Sequence, residues 1–369
     1  MTIPVFVPKL PTVEDLLPYL REIELAQTYS NFGPMVLRLH SELAQYFGVQ
    51  VNQIVTLANA TLALEGAVQT SSNKDTKWLS PSWTYAATNL ALERCNVDYE
   101  FGDIEQDWRL IPDSSYSAIM DVCPFGDALA LERFTNPGQT VLVDAAASFP
   151  ALKGCGQVIS NHDGPVGIVV SFHPTKVVPG VEGGVFISNK PEWVEQVAQW
   201  SRFGMKEGSR TSNKIGTNAK MNEYQAAVIL ASMKNFETYR EDWVEIHAKA
   251  KNISSSLGLI THPAMSKGEI SSYWLIEAPP DLIDLIETTS LIHEFQTRRW
   301  WEFGCHRMPL FAKKNPVFLP ETERVASSTI ALPIHLFLGE KDFDLIQASI
   351  SEVIPVSYTH LTLPTNREV

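Results

Sequence analysis

Lys176 ends the run Ser171-Phe172-His173-Pro174-Thr175-Lys176, which follows an apolar stretch at 166–170 and precedes the glycine-rich Gly180-Val181-Glu182-Gly183-Gly184. The apolar stretch reads as a buried strand. A lysine just past its end, with a serine five residues earlier and glycines after it, can point its amine inward as a reactive group. Upstream, Thr140-Val141-Leu142-Val143 reads as a second buried strand that delivers Asp144 at its C-terminal end. In an open α/β sheet that is where ligands bind, so an acid there is a functional candidate, although the same residue can cap a helix.

The run SFHPTKVVPGVEGGVFIS around Lys176 closely resembles the cofactor-lysine segment of the DegT/DnrJ/StrS family, the pyridoxal-phosphate-dependent nucleotide-sugar aminotransferases. VDAAASFPALKG is similar to that family's EDAAQAHGA-type segment, ANATLALEGA to its phosphate-loop SGTxAL, and PSWTYAATNLAL to its PxxTFxATxxAI. Downstream, IGTNAKMNEYQAA resembles GYNYRMxExQAA, and LPETERVASSTIALPIHLFLGEKD resembles LPxTExxAxxxLxLPxxxxLxxxD. The matches are collinear from about residue 31 to residue 353.

Pyridoxal phosphate needs an amine for its Schiff base, an acid on its pyridine nitrogen and an anion site for its phosphate. The resemblance implies Lys176 for the first, with a second duty as the base that moves a proton between substrate and cofactor. It implies Asp144 for the second. It implies the backbone amides of Ala60 and Thr61 at a helix start, with the Thr61 and Ser171 hydroxyls, for the third. Tyr85 falls at the position of an aromatic residue that stacks on the ring, and is otherwise a core residue. Asn218 matches a residue that reaches the phosphate from the neighbouring subunit, which implies a homodimer with shared active sites; a loop asparagine can also cap the next helix. His173 and Glu182 lie inside the signature and read as structural hydrogen-bonding residues.

Three departures stand out. Ala147 occupies a position where the family has Gln or His, Ala60 replaces a glycine of the phosphate loop, and Ala219-Lys220 replaces Tyr-Arg. They leave open a catalytically inactive regulatory or binding protein on the same fold. A dehydrating relative would carry His in place of Lys176. A cysteine desulfurase would need a mobile nucleophilic cysteine, for which Cys305 is the candidate. A dinucleotide-binding oxidoreductase would need G-x-G-x-x-G between a strand and a helix, which the sequence lacks. The resemblance favours amino transfer, from glutamate as donor to a keto group of a nucleotide-linked deoxysugar, for a cell-surface polysaccharide or a glycosylated metabolite.

The elements that must position these residues alternate β-type runs and helical stretches from residue 54 to 188, the mark of a mostly parallel sheet covered by helices. Helices are expected at 13–28, 35–47, 191–203, 222–257, 282–298 and 341–353, with a strand at 272–276 in an α+β C-terminal third. Together with the resemblance, this predicts an aspartate-aminotransferase-like α/β fold (PLP fold type I): an N-terminal segment at 1–33, a large cofactor-binding domain at 34–240 and a small α+β domain at 241–355. Residues 356–369 resemble read-through of adapter sequence and are left out of the functional reading.

With 44% hydrophobic and 19% charged residues among 369, the chain is long and apolar enough to build its own core. Acidic side chains outnumber basic ones 42 to 29, for a formal charge of −13, and no basic run forms a stripe; nucleic acid and anionic membrane are therefore not expected partners. Four cysteines without metal or disulfide spacing, and no export signal or apolar span, predict a reduced, cytoplasmic protein that binds no metal.

Overall fold

Short apolar runs between residues 54 and 188 pack into one sheet because helices cover both of its faces and leave no side that requires polar residues. The computed structural model describes residues 2–312 and 317–354, so the proposed foreign tail at 356–369 lies outside the described residues. The chain opens with α1 (Val13–Ala26) and α2 (Pro34–Phe47), followed by β1 (Ile54–Leu57), α3 (Ala60–Ser71), β2 (Lys77–Pro81), α4 (Ala86–Arg94), β3 (Asp98–Gly102) and β4 (Ala118–Val122). It continues with β5 (Thr140–Asp144), α5 (Gly156–Ser160), β6 (Val166–Ser171), β7 (Gly184–Ser188), α6 (Pro191–Ser201) and α7 (Glu223–Ser256).

The strand order is β1-β7-β6-β5-β4-β2-β3, with β7 antiparallel to both neighbours and the other pairs parallel. Since β7 reverses direction between them, β1 and β6 point the same way. The C-terminal ends of β1, β2, β4, β5 and β6 therefore share one edge of the sheet with the start of β7. Asn59, Cys123, Asp144, Ser171 and Gly184 all come to that edge.

The C-terminal third adds β8 (Ile260–Thr261), α8 (Pro263–Lys267), β9 (Trp274–Glu277), α9 (Pro280–Ile292), α10 (Pro309–Ala312), α11 (Pro320–Ser328), β10 (Thr329–Leu332) and α12 (Glu340–Ser351). Its strands form an antiparallel sheet in the order β10-β9-β8. The sheet leans on α7 through the buried Trp274, whose indole N–H donates to Ser254 Oγ at 2.9 Å. Helix α7 leaves helical geometry at Tyr239 (φ −116°, ψ 17°).

The helix expected over 282–298 is shorter, ending at Ile292. Glu294 adopts a left-handed φ of 56°, and Phe295 leaves the helix to pair with Ile3 in a parallel bridge and bury its ring. A tertiary contact thus overrides the local pattern. Strand β8, at two residues, is too short to show an alternation of its own.

One buried carboxylate shows how remote segments are joined. Helix α2 begins at Pro34 after Gly33, whose missing side chain offers no cap. Glu223, at the start of α7, supplies the acceptors: Met35 N donates to Oε2 at 2.7 Å and Val36 N to Oε1 at 3.2 Å. A Cβ on Gly33 would lie 2.7 Å from Glu223 Cδ, so the glycine makes room for this cap. The carboxylate also sits at the positive end of α2. Glu223→Ala leaves two buried amides without acceptors and is expected to destabilise the fold by about 2–4 kcal/mol. Equilibrium denaturation by urea should show the loss; an unchanged midpoint would refute the capping role.

Candidate active site

Helix α3 starts at the shared sheet edge with Asn59 as its N-cap, the side chain accepting from Leu62 N at 2.9 Å. The amides of Ala60 and Thr61, one turn too early for helical partners, have no acceptor among the described residues. Gly184 allows the strand next to them to come this close. A Cβ on it would lie 2.5 Å from the Asn59 carbonyl carbon and 2.6 Å from Ala60 N, a clash with backbone that cannot swing aside.

Around this helix start lies a cavity of about 450 Å³, within the usual range for cofactor and small-ligand sites. Ala60, Thr61, Tyr85, Asp144, Ser171 and Lys176 all line it, so six of the seven site residues expected from the sequence converge. The seventh, Asn218, does not line it. Asn218 is exposed, and its Oδ1 accepts from Lys220 Nζ at 2.6 Å.

Asp144 ends β5 and is buried. Its Oδ2 accepts from Thr88 Oγ1 at 2.7 Å and its Oδ1 from Ala146 N at 3.1 Å. Burial pushes the carboxyl above its usual 3.8; those two hydrogen bonds and the charge of Lys176 pull the other way without cancelling the rise. Thr88 is in turn bonded to Thr84 Oγ1 at 2.7 Å, so a short hydroxyl chain backs the carboxylate.

Lys176 comes from the loop after β6. Its Nζ donates to the hydroxyl of Tyr273 at 3.1 Å and lies 5.5 Å from that ring's centre. Tyr273 is fixed at both backbone ends: its N–H donates to Ser271 Oγ at 3.1 Å, and its carbonyl accepts from His262 Nε2 at 2.9 Å. His262 is fully buried, which pushes it down to about 4 and keeps it neutral at ordinary pH. The Tyr273 ring packs edge-on against Phe125 and Trp300, each at 5.3 Å, and Phe125 stacks on Trp301 at 4.2 Å.

Ser171 Oγ accepts from His173 N at 3.2 Å, and its own proton has no acceptor among the described residues. Tyr85, 60% exposed at the start of α4, stands at the cavity without a ring partner among the described residues. His173 bonds to Thr175 Oγ1 at 2.9 Å and stands 4.0 Å from Glu182; both residues line the cavity. Ala147 lines it too, presenting a methyl group. Cys305 is fully buried, with Sγ toward the Thr84 carbonyl, and burial pushes its thiol up to about 12. A buried thiol held protonated does not suit a desulfurase nucleophile.

Sequence reasoning overlooked Thr88, Tyr273, Arg298, Trp300 and Trp301. Thr88 carried a signal, being one helical turn beyond Tyr85 on the same face of α4. The other four come from segments about a hundred residues downstream of Lys176 whose approach no local pattern announces.

Solved aminotransferases share this architecture. A Bacillus cereus protein assigned as a PLP-dependent aminotransferase superposes with a TM-score of 0.83 at 27% identity, covering 95% of this chain and 100% of that one. DesI, solved with its TDP-sugar product, gives 0.82 at 25% identity, covering 95% and 93%. The fold is thus the α/β fold of PLP-dependent aminotransferases. The dTDP-4-amino-4,6-dideoxy-D-glucose transaminase of Shigella dysenteriae is 31% identical over 375 residues, 95% of this chain and 99% of that protein. The Escherichia coli protein of the same name is 29% identical over 370 residues, covering 92% and 95%. The chain belongs to the DegT/DnrJ/EryC1/StrS aminotransferase family, which it matches over residues 12–351.

The geometry of Asp144 makes a test of its electrostatics possible in the cofactor-free protein. A carboxyl raised in the fold contributes stability that is complete below the unfolded value near 3.8 and is lost as pH rises through the folded value. As pH rises above the unfolded value, folding the wild-type chain carries a growing cost of burying this acid that an asparagine side chain lacks. In Asp144→Asn the new amide oxygen can accept from Ala146 N, and the new amide N–H can donate to Thr88 Oγ1, which then donates to Thr84. Cofactor-free Asp144→Asn is therefore expected to be more stable than wild type at pH 7, by a margin that shrinks as pH falls toward 4. Denaturation curves across that range check it; a margin independent of pH would remove the buried charge as its cause.

Proposed function

We propose that this protein is a pyridoxal-phosphate-dependent transaminase that moves an amino group from L-glutamate to the keto group of a dTDP-linked deoxysugar. The observation that carries the reading is the convergence on one cavity of the Lys176 amine, the buried Asp144 carboxylate and the free amides of α3. The names of the Shigella and Escherichia relatives and the TDP-sugar product of DesI support the choice of substrate.

When bound, pyridoxal phosphate supplies an aldehyde for the lysine amine and a ring that takes up the electrons released as a carbon beside nitrogen loses its proton. The cavity residues suit that group. The amides of Ala60 and Thr61, with the Thr61 and Ser171 hydroxyls, hold the phosphate, helped by the positive end of α3. Asp144 would hold a proton on the pyridine nitrogen, and that cation would relieve the acid's unfavourable burial. Lys176 Nζ would hold the proton taken from the substrate carbon, and Tyr273 sets the position of that nitrogen. Tyr85 covers the ring, and the Ala147 methyl leaves an apolar surface beside it.

On this reading residues 34–240 form the cofactor-binding domain, and residues 241–355 supply the opposite wall with Tyr273. Asn218 serves the site of a second copy, making a homodimer with shared active sites. Its exposure supports this, as does apolar surface at its sequence neighbours: Ile215 is 80% exposed, and the half-exposed Tyr224 ring stacks on that of Tyr29 at 6.3 Å. Four free thiols suit the cytoplasm. No helix among the described residues is long and apolar enough to cross a membrane.

Borohydride reduction of the cofactor-loaded protein is expected to leave the pyridoxyl group on Lys176, located by peptide mass analysis. An adduct on another lysine, with Lys176 unmodified, would overturn the assignment. Lys176→Ala should abolish turnover and keep the fold.

Shared sites have their own test. Lys176→Ala and Asn218→Ala chains, each impaired alone, should regain part of the activity when mixed, because one site of the heterodimer keeps both residues. Confirmed heterodimers without recovery, or a fully active monomer in sedimentation, would return Asn218 to a structural role.

A further inference from the structure

Arg298 is the arginine among the residues that line the Lys176 cavity. Its surroundings separate it from the other arginines of the C-terminal third. Arg299 is bound to Asp284 and Glu287, Arg307 to Glu323, and Arg324 to Glu277 and Glu321. The Arg298 guanidinium has no hydrogen bond or ion pair among the described residues. In a chain with a formal charge of −13, a cation left without an acidic neighbour at a cavity mouth stands out.

It is also held in place. The Arg298 backbone is clamped to β10, with Arg298 N donating to Ala331 O at 3.1 Å and Ala331 N to Arg298 O at 2.8 Å. Its guanidinium lies over the Trp300 indole at 4.1 Å from the ring centre. Stacking leaves the N–H edges of a guanidinium free, and the planar fork matches the oxygens of a carboxylate or a phosphate. Beside it, the Trp300 indole N–H has no acceptor among the described residues.

We propose that Arg298 is the oxyanion seat of the substrate site and that it takes the diphosphate of the nucleotide sugar. This rests on the transaminase reading above and deepens it. The competing oxyanion is a carboxylate of the amino donor. A donor's α-carboxylate is attached to the reacting carbon itself and so belongs beside Lys176. Two rings lead from the lysine to Arg298: Lys176 Nζ lies by the Tyr273 ring, that ring packs on Trp300, and Arg298 stacks on Trp300 and is exposed. A diphosphate several bonds from the keto carbon fits that separation.

The test uses the cofactor-loaded protein with dTDP and L-glutamate as separate probes, alongside Arg298→Gln and Arg298→Lys. Calorimetry should show dTDP binding weakened about tenfold to a hundredfold in Arg298→Gln, the loss of a charge-assisted hydrogen bond. Arg298→Lys should recover part of it. With the keto sugar as substrate, KM for the sugar should rise by a similar factor while kcat and the KM for glutamate hold. Equal dTDP binding by wild type and Arg298→Gln would overturn the proposal and leave the transaminase reading intact. A rise confined to the glutamate KM would also overturn it, in favour of the donor's carboxylate. Wild-type protein that carries the cofactor on Lys176 but does not bind dTDP would overturn both the nucleotide-sugar reading and the proposal.

Discussion

Asp144 is an acid that the folded chain desolvates without pairing it to a cation among the described residues. Its oxygens receive one hydroxyl proton and one amide proton, and no cation is bonded to them. An acid in that condition is destabilising unless something cationic arrives, and the cavity at the C-terminal edge of the sheet gives a cationic ligand a way to it. Strands β4 and β6 flank β5 in parallel, the Thr84–Thr88 hydroxyl chain closes the rear, and the cavity opens in front. On the transaminase reading, the stability forgone at this position gives the site a demand for a protonated ring nitrogen.

The anion end of the cavity depends on close approach, not on charge. No arginine or lysine has to face the Ala60 and Thr61 amides, because the start of α3 already presents a partial positive charge. On the transaminase reading, that arrangement suits Ala60 where the resembled family motif has glycine, since the amide and not the side chain would hold the phosphate. The tolerance does not extend to Gly184, where the space for a side chain is filled by the Asn59-Ala60 peptide.

Much of this was legible before the structure. The buried runs ending at Asp144 and Ser171 gave the two strand ends, and collinear resemblance gave roles to the residues just beyond them. Strand positions along the large sheet were also readable, because continuous apolar runs bounded by turns identify strands buried on both faces. The reversal of β7 was not, since an apolar run carries no direction. The far wall was illegible for a related reason: Tyr273 and Arg298 are an ordinary tyrosine and arginine until β8, β9 and β10 bring them to Lys176. Glu223 was illegible in the same way: it is one acid among many until the fold sets it against the start of α2 as a cap.

The cavity has its two walls on distant stretches of chain, and this sets an order in time. Lys176 meets Tyr273 across 97 residues, and the Arg298 backbone waits for Ala331. A chain growing from its N-terminus can complete the seven-stranded sheet once β7 has emerged, yet it then has an open ledge with a lysine and a buried acid exposed to water. Since domains fold as they are made and distant contacts close last, a nascent protein gains a closed pocket only near the end of synthesis. Any ligand met earlier finds the ledge without its roof.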